Sequence, residues 1–168
     1  KALFEKSMEA LGGKLDFVLH SIGMSRNARK SYSYTETNYD NFLKTLDISA
    51  LSLHKVLQTA MKLDALNEWS SVVALTYIAA QRTFPGYNDM AEAKALMESI
   101  ARSFGYHYGF AKKVRVNTVS QSPTATSAGS GVSGSDAFFH YAEKMSPLGN
   151  APAEDCANFC TMLFSDYT

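Results

Sequence analysis

Cysteine, net charge and long apolar runs are all scarce in this sequence of 168 residues. Only two cysteines occur, Cys156 and Cys160, which is too few for a disulfide scaffold and favours a reducing, cytoplasmic setting. Sixteen Lys and Arg balance sixteen Asp and Glu. Nucleic acids and anionic membrane surfaces need a basic surplus, so we expect neither as a partner. No apolar run approaches the roughly 18–20 residues that cross a bilayer, which predicts no membrane-spanning helix.

Motifs for several kinds of chemistry are also missing. No Gly-x-Ser-x-Gly elbow occurs, so acyl hydrolysis lacks support. The histidines are widely separated and the two cysteines have no third ligand nearby, so we expect no metal site. Residues 129–134 have the form G-x-G-x-x-G, but they lie ten residues beyond the nearest predicted strand. A dinucleotide fingerprint follows its strand directly, so a flexible loop is favoured over a phosphate site.

The sequence does contain an alternation of strands and helices. Short apolar runs rich in β-branched residues predict buried strands over 15–19, 70–76 and 114–119. Apolar residues at alternating steps of three and four predict long helices over 38–66 and 88–104. Shorter helices are predicted before the first strand (1–11) and after the last (137–145 and 153–163). This order is typical of an α/β, Rossmann-like doubly wound parallel sheet with helices on both faces, forming one domain over 1–168.

Two polar segments interrupt this pattern. Residues 21–38 predict an exposed loop, in which Arg26, Arg29 and Lys30 are either solvated surface charges or phosphate ligands. Residues 120–135 are rich in Ser, Gly, Thr and Ala and cannot build a core. Structureless loops of that length are usually functional or mobile.

Tyr87 and Lys94 form the most informative pair of polar residues. Seven residues are nearly two helical turns, so we expect both side chains on the same stripe of one helix. An ammonium group beside a phenol lowers the phenol pKa from about 10, and such a tyrosine could hold a developing oxyanion while the lysine binds a sugar hydroxyl. The alternative is an amphipathic helix with Tyr and Lys at its solvent boundary.

Further polar residues follow two of the predicted strands. Tyr77 comes directly after the second strand, and His20-Ser21-Ile22-Gly23 ends the first. Ligands of open α/β sheets bind outside the carboxyl ends of the strands, so we expect these segments in one crevice. His20 itself is interpreted as a hydrogen-bonded structural histidine rather than a base.

Together these residues carry a resemblance to a known family. The matching positions are His20-Ser21-Ile22-Gly23, Tyr77, Phe84-Pro85-Gly86-Tyr87-Asn88-x-Met90-x3-Lys94, Arg115-Val116-Asn117 and Ser120-x2-Pro123-x2-Thr126. This pattern resembles the FabI-type enoyl-acyl-carrier-protein reductases of the short-chain dehydrogenase/reductase superfamily. The common superfamily arrangement has a Tyr-x3-Lys pair and a Ser before it, where this sequence has Ala91 and Ala74. An ordinary ketoreductase is therefore disfavoured.

The resemblance implies reduction of a trans-2-enoyl thioester on acyl carrier protein, with hydride from NADH or NADPH. It assigns catalytic roles to Tyr77, Tyr87 and Lys94, and substrate contacts to Ser25, Tyr77 and Tyr87. The implied cofactor-binding residues are Ser21, Ile22, Gly23, Lys94, Pro123, Thr124, Ala125, Thr126, Ser127 and Ala128. Residues 120–145 would form a mobile substrate-binding loop and helix, and helices 38–66 and 88–104 would join the subunits of a homotetramer.

The sequence also departs from the family pattern at both ends. Family members begin with a strand and a glycine-containing turn that hold the adenosine and pyrophosphate, and they end with a further strand. Neither is recognised here, so the chain is interpreted as an internal fragment, and activity is expected of the complete enzyme rather than of this chain alone. Two other hypotheses stay open: another superfamily reductase acting on a ketone, and an inactive fragment that retains only subunit association.

Overall fold

Three parallel strands lie side by side in the computed structural model, which describes residues 1–124 and 135–168. They are β1 (Leu15–His20), β2 (Leu66–Thr76) and β3 (Arg115–Ser120), with β2 between the other two. Val72 of β2 is paired with Val18 on one side and with Val116 on the other. The predicted parallel sheet is confirmed, and the carboxyl ends of its strands share one edge.

Helices precede, connect and follow these strands. They are α1 (Ala2–Leu11), α2 (Arg26–Arg29), α3 (Tyr39–Leu46), α4 (Ser52–Lys62), α5 (Met90–Lys112), α6 (Ser135–Met145) and α7 (Ala153–Phe164). A glycine ends α1, since Gly12 adopts a left-handed φ of 74° and its N–H donates to the Glu9 carbonyl. The five-residue turn Asp47–Leu51 joins α3 to α4 in a π-helical conformation.

The alternation of side chains along β2 explains why helices cover both faces of the sheet. Successive residues of a strand point to opposite faces. Val72 and Ala74 pack on one face with residues of α4 and α5 in the main core. Val73 packs on the other face with Val119 and with Cys160 of α7. The doubly wound arrangement predicted from the sequence is therefore confirmed.

The segment predicted as one long helix over 38–66 is only partly correct. It is interrupted by the π-helical turn, and it ends at Lys62. Leu66 belongs to β2, where it pairs with Leu15. The reversal between helix and strand uses Asp64 at a positive φ of 49°. Apolar periodicity continues through the turn because Ala65 and Leu66 are themselves buried, so periodicity alone does not reveal where the helix ends.

The prediction of an exposed loop over 21–38 is also wrong in part. The segment contains α2, and Ser25, Asn27 and Ala28 are buried. The two polar residues can be buried because each finds hydrogen-bond partners inside the protein.

The prediction that β1 is buried is wrong for the face of the strand that carries Phe17 and Leu19. Phe17 and Leu19 are 59% and 50% exposed. In the described part of the chain β1 is an edge strand, and Phe17 stacks on Phe164 of α7 at 5.0 Å between ring centroids. Only part of this apolar surface is therefore covered by the described residues.

None of the helices described by the structure is both long and apolar enough to span a bilayer.

Candidate active site

A cavity of about 330 Å³ lies at the carboxyl edge of the sheet. Its walls come from the segments after the three strands, from the start of α5 and from α6. The predicted site residues that line it are Ser21, Ile22, Gly23, Ser25, Tyr77, Tyr87, Lys94, Pro123 and Thr124. Ala125, Thr126, Ser127 and Ala128 lie outside the described residues, as does the glycine-rich motif 129–134. Open α/β sheets bind ligands at this edge, so the position itself favours a ligand site.

Tyr87 does not share a helix with Lys94, which corrects the prediction from their spacing. The helix α5 begins at Met90, and Tyr87 lies in the turn before it. In this turn the Tyr87 N–H donates to the Phe84 carbonyl at 3.1 Å, and Gly86 has a φ of 84°. Proline followed by glycine favours such a turn, because Gly can adopt a positive φ without strain. Both side chains nevertheless reach the same cavity.

An aromatic cluster surrounds the two tyrosines. The rings of Tyr77 and Tyr87 lie 5.1 Å apart between centroids, tilted by 49°. Phe84 lies 5.5 Å from Tyr77 and 5.5 Å from Phe138 of α6. Offset and tilted ring pairs stabilise one another in addition to the apolar area they bury. The cluster therefore orients both phenols and joins the Tyr87 turn to α6.

Burial makes both phenols weaker acids. It raises the pKa of Tyr87 well above its ordinary value of 10, with the neighbouring Tyr77 adding to the increase. Burial raises the pKa of Tyr77 as well. The expected lowering of the Tyr87 pKa by Lys94 is therefore wrong, because burial removes the water that would stabilise the phenolate. At neutral pH both residues are O–H donors.

Lys94 is the buried cation of the site, at 8% exposure. Its Nζ donates to the Leu75 carbonyl at 2.6 Å, at the end of β2. Burial lowers the pKa of Lys94 from 10.5 to about 8. The ammonium has three N–H donors, and the Leu75 contact uses one of them, so Lys94 can serve further oxygen atoms.

Gly23 allows the backbone after β1 to approach this lysine. A Cβ atom at this position would lie 2.6 Å from Cε of Met90 and 4.0 Å from Nζ of Lys94. The first distance is too short for any side chain to be accommodated without movement of Met90. Glycine therefore brings the Ser21–Gly23 backbone close to Lys94, which forms a narrow wall of the cavity.

His20 is buried at the end of β1 and is hydrogen-bonded, in agreement with its interpretation as structural. Its Nε2 lies 2.8 Å from Oγ of Ser52, and that hydroxyl donates to the Ile48 carbonyl at 2.6 Å. Because the Ser52 proton is used there, we assign the His20 Nε2 as the donor. Burial and then the charge of Lys94 lower the pKa of His20. The ring is therefore neutral at neutral pH.

Asp89 was not among the residues predicted from the sequence, although it is fully buried two residues after Tyr87. Its carboxyl oxygens accept from Ser25 Oγ at 2.5 Å and from Asn27 Nδ2 at 2.7 Å. Ser25 therefore lines the cavity with its hydroxyl proton already used. An Asp at the start of a helix is ordinarily interpreted as an N-cap. The sequence therefore does not indicate that this carboxylate accepts hydrogen bonds from Ser25 and Asn27 inside the protein.

Glu98 was also missed, although it lies one helical turn after Lys94 on α5. It is buried and accepts from Thr76 Oγ1 at 2.8 Å and from Gln81 Nε2 at 3.4 Å. Thr76 and Gln81 flank the segment that begins with Tyr77. These hydrogen bonds join this segment to α5. The spacing of four residues from Lys94 could have indicated that Glu98 lies on the same face of the helix.

The described residues contain no cluster of three His, Cys, Asp or Glu side chains that could hold a metal ion. Cys156 and Cys160 are free thiols on α7.

Comparisons with known proteins agree on one family. A family model described as enoyl-(acyl carrier protein) reductase matches residues 1–168. The enoyl-acyl-carrier-protein reductase (NADH) 2 of Rhizobium meliloti is 37% identical over 155 residues, which are 92% of this chain and 57% of that protein.

Solved structures give the same result. A FabI–NADH complex from Alistipes finegoldii is 64% identical with a TM-score of 0.96, covering 98% of this chain and 58% of that one. The enoyl-acyl-carrier-protein reductase (NADH) from Aquifex aeolicus is 27% identical with a TM-score of 0.90, covering 99% of this chain and 64% of that one. This chain therefore spans about three fifths of the length of these relatives.

Proposed function

The chain belongs to the enoyl-(acyl carrier protein) reductase family, and we propose that the protein reduces the double bond of a trans-2-enoyl thioester in fatty acid biosynthesis. The observation that carries this proposal is the meeting of two protonated tyrosines and one buried lysine in a single cavity, Tyr77, Tyr87 and Lys94. Two O–H donors suit an oxygen that gains negative charge, as a thioester oxygen does in this reaction.

We propose NADH as the cofactor. The relatives from Rhizobium meliloti and Aquifex aeolicus are named as NADH enzymes, and the Alistipes finegoldii structure contains NADH. The residues fit such a group, because the backbone of Gly23 and the ammonium group of Lys94 lie close together and line the same cavity. Ser21, Ile22, Gly23, Lys94, Pro123 and Thr124 would hold it, with Ala125, Thr126, Ser127 and Ala128 as predicted contacts outside the described residues. When bound, the cofactor supplies a hydride to the C3 carbon of the enoyl group.

Lys94 is proposed to bind a hydroxyl of the nicotinamide ribose. Its charged form has donors beyond the one that holds the Leu75 carbonyl. With a pKa of about 8, it is mostly protonated at neutral pH and therefore a charged donor there.

Tyr87 is proposed as the donor to the thioester oxygen. Its raised pKa keeps the proton on the phenol, so it can donate a hydrogen bond that strengthens as charge develops on the substrate. The position is preorganised by the turn and by the Tyr77 ring. Tyr77 is a proposed second catalytic residue that also contacts substrate, and Ser25 a proposed wall of the substrate site.

A ketone-reducing alternative has less support. The superfamily positions that serve this chemistry are occupied here by Ala91 and Ala74, and Ala74 is fully buried in the core. Neither side chain can donate a hydrogen bond or a proton.

The helix α6 is proposed to form part of the substrate site within the segment 120–145. Phe138 and Phe139 line the cavity, and Phe138 packs on Phe84. The position of this helix supports the proposal that it acts as a lid, because its movement would open the apolar wall next to the tyrosines.

We further propose a cytoplasmic homotetramer joined through α3, α4 and α5, which correspond to the predicted helices 38–66 and 88–104. Tyr39 and Leu43 of α3 are 78% and 65% exposed, which is unusual for large apolar side chains next to each other on a helix. A second subunit would cover them. The free thiols of Cys156 and Cys160 suit a reducing compartment.

The proposed function is tested with the complete enzyme and a crotonyl thioester. Oxidation of NADH or NADPH is followed at the nicotinamide absorbance, and acetoacetyl thioester serves as the ketone control. We expect NADH oxidation with the enoyl substrate only. Oxidation with the ketone substrate alone would contradict the proposal.

A further inference from the structure

A basic cluster borders the cavity and has no part in the chemistry above. Arg26, Arg29 and Lys30 lie in α2 and directly after it, and all three are exposed. Residues three and four apart in a helical turn are neighbours, so Arg26 lies beside the other two. Arg29 also lines the cavity. The cluster therefore places positive charge where the cavity meets solvent.

One carboxylate, that of Asp89, lies against this turn, but it is buried on the inner side and accepts from Ser25 and Asn27 rather than from these cations. Among the residues that the structure describes, none of the three forms an ion pair. The sequence has no Asp or Glu between Asp16 and Glu36. In a chain with zero net charge, this is a local surplus that attracts an anion.

The helical turn that carries the cluster is held rigidly from its inner side. Asn27 and Ala28 are buried under it, and the Ser25 hydroxyl accepts from the Ala28 N–H at 2.9 Å. Asp89 holds both Ser25 and Asn27. The three cations therefore project from a helical turn that is hydrogen-bonded to the segment after Tyr87. The positions of their Cα atoms are fixed relative to the reacting groups.

The substrate of the proposed reaction has an anion in a suitable place. Its thioester is the end of a long pantetheine arm, and the arm joins the carrier protein through a phosphate group. Guanidinium groups match phosphate oxygens in charge and geometry, and often bind them through two parallel hydrogen bonds. With Tyr87 and Lys94 serving the reacting end inside the cavity, the arm must leave through its opening.

We propose, on the basis of the proposed function, that Arg29 binds the phosphate of this pantetheine arm, with Arg26 and Lys30 adding to the local positive charge. The phenols hold the thioester inside the cavity, and the cluster holds the other end of the arm where the cavity meets solvent. This gives the enzyme a means of distinguishing thioesters whose pantetheine arm ends in a phosphate from thioesters without one.

The test compares three crotonyl thioesters with the complete enzyme: N-acetylcysteamine, which has no phosphate, phosphopantetheine, and acyl carrier protein. Arg29→Gln removes the charge but keeps a polar side chain. We expect kcat/KM to fall about tenfold for both phosphate-containing substrates, the factor for loss of about one charged hydrogen bond. Turnover of the N-acetylcysteamine thioester should be unchanged, which also shows that the variant is folded. Lys6→Gln, an exposed lysine on α1, is the matched control and should change none of the three.

Each other outcome overturns the assignment. An equal loss on all three substrates would mean that Arg29 supports the reacting groups instead. A loss with the carrier protein alone would mean that the contact is with acidic residues of that protein rather than with the phosphate. An unchanged kcat/KM for all three substrates would mean that the cluster is only a set of solvated surface charges. If the unchanged enzyme reduced none of the three thioesters, the proposed function itself would fail, and the phosphate site with it.

Discussion

At the scale of single residues, burial decides the protonation of the three central groups. Burial raises the pKa of both tyrosines and lowers that of Lys94 to about 8. The sequence predicted that Lys94 would favour a phenolate, because spacing shows proximity but not the loss of water around both groups. The resulting state is two neutral donors beside one cation that can lose its charge near neutral pH.

The proposed contact between Lys94 and NADH predicts a pH dependence of NADH binding. The charged form exists below about pH 8 and is lost above it, so the affinity should weaken as pH rises through that value. Fluorescence titration measures the NADH dissociation constant between pH 6.5 and pH 9.5. These limits lie about 1.5 pH units below and above the Lys94 pKa, so they compare the charged and the neutral lysine. Lys94→Met, which has a similar length and no charge, should bind NADH weakly at every pH. Full affinity in this variant would contradict the ribose contact.

At the scale of elements, the sequence predicted the strands and the long helices but not the connections between them. Val72 and Val73 identify β2 because β-branched residues in a short apolar run are strong strand signals. The turn of Tyr87 was missed although its signal, Pro85-Gly86, is local, because the apolar periodicity of α5 was extended back over it. The burial of the short helix α2 was missed because it depends on hydrogen bonds between residues far apart in sequence. Asp89 reaches back to Asn27 across 62 positions, and no local pattern contains that contact.

Asp89→Asn tests whether this contact holds α2 in place. An amide accepts through only one of its two terminal atoms, so either the Ser25 hydroxyl or one N–H of Asn27 loses its acceptor, while the other N–H of Asn27 keeps the Asn38 carbonyl. An unpaired buried donor lowers the free energy of unfolding by about 1–3 kcal/mol. Urea denaturation measures the loss, with exposed Asp166→Asn as the control. Equal stability of the two variants would show that α2 is held by other contacts.

At the scale of the whole molecule, the two-sided core could be predicted and the exposed surfaces could not. Periodicity identifies the buried stripes of α4 and α5, but it does not show which stripes meet another subunit. The same limit explains β1, whose apolar Phe17 and Leu19 predict burial although the described residues leave about half of each exposed.

The proposed subunit interface predicts a specific response to charge. Leu43→Glu places a carboxylate on the exposed side of α3, where a second subunit would have to bury it without a partner. Sedimentation of the complete enzyme should show smaller species in place of the tetramer. Leu3→Glu introduces the same charge at a 71% exposed position on α1 and should leave the mass unchanged. An intact tetramer with Leu43→Glu would place the interface elsewhere.

The central claim is that the Tyr87 hydroxyl donates to the substrate oxygen, and one substitution tests it most directly. Tyr87→Phe removes that oxygen and keeps the ring that packs on Tyr77. We predict that kcat for a crotonyl thioester falls about a hundredfold, as when one donor to a developing oxyanion is removed. The NADH dissociation constant, measured by fluorescence on the same sample, should remain that of the unchanged enzyme. Undiminished turnover in this variant would contradict the role of Tyr87.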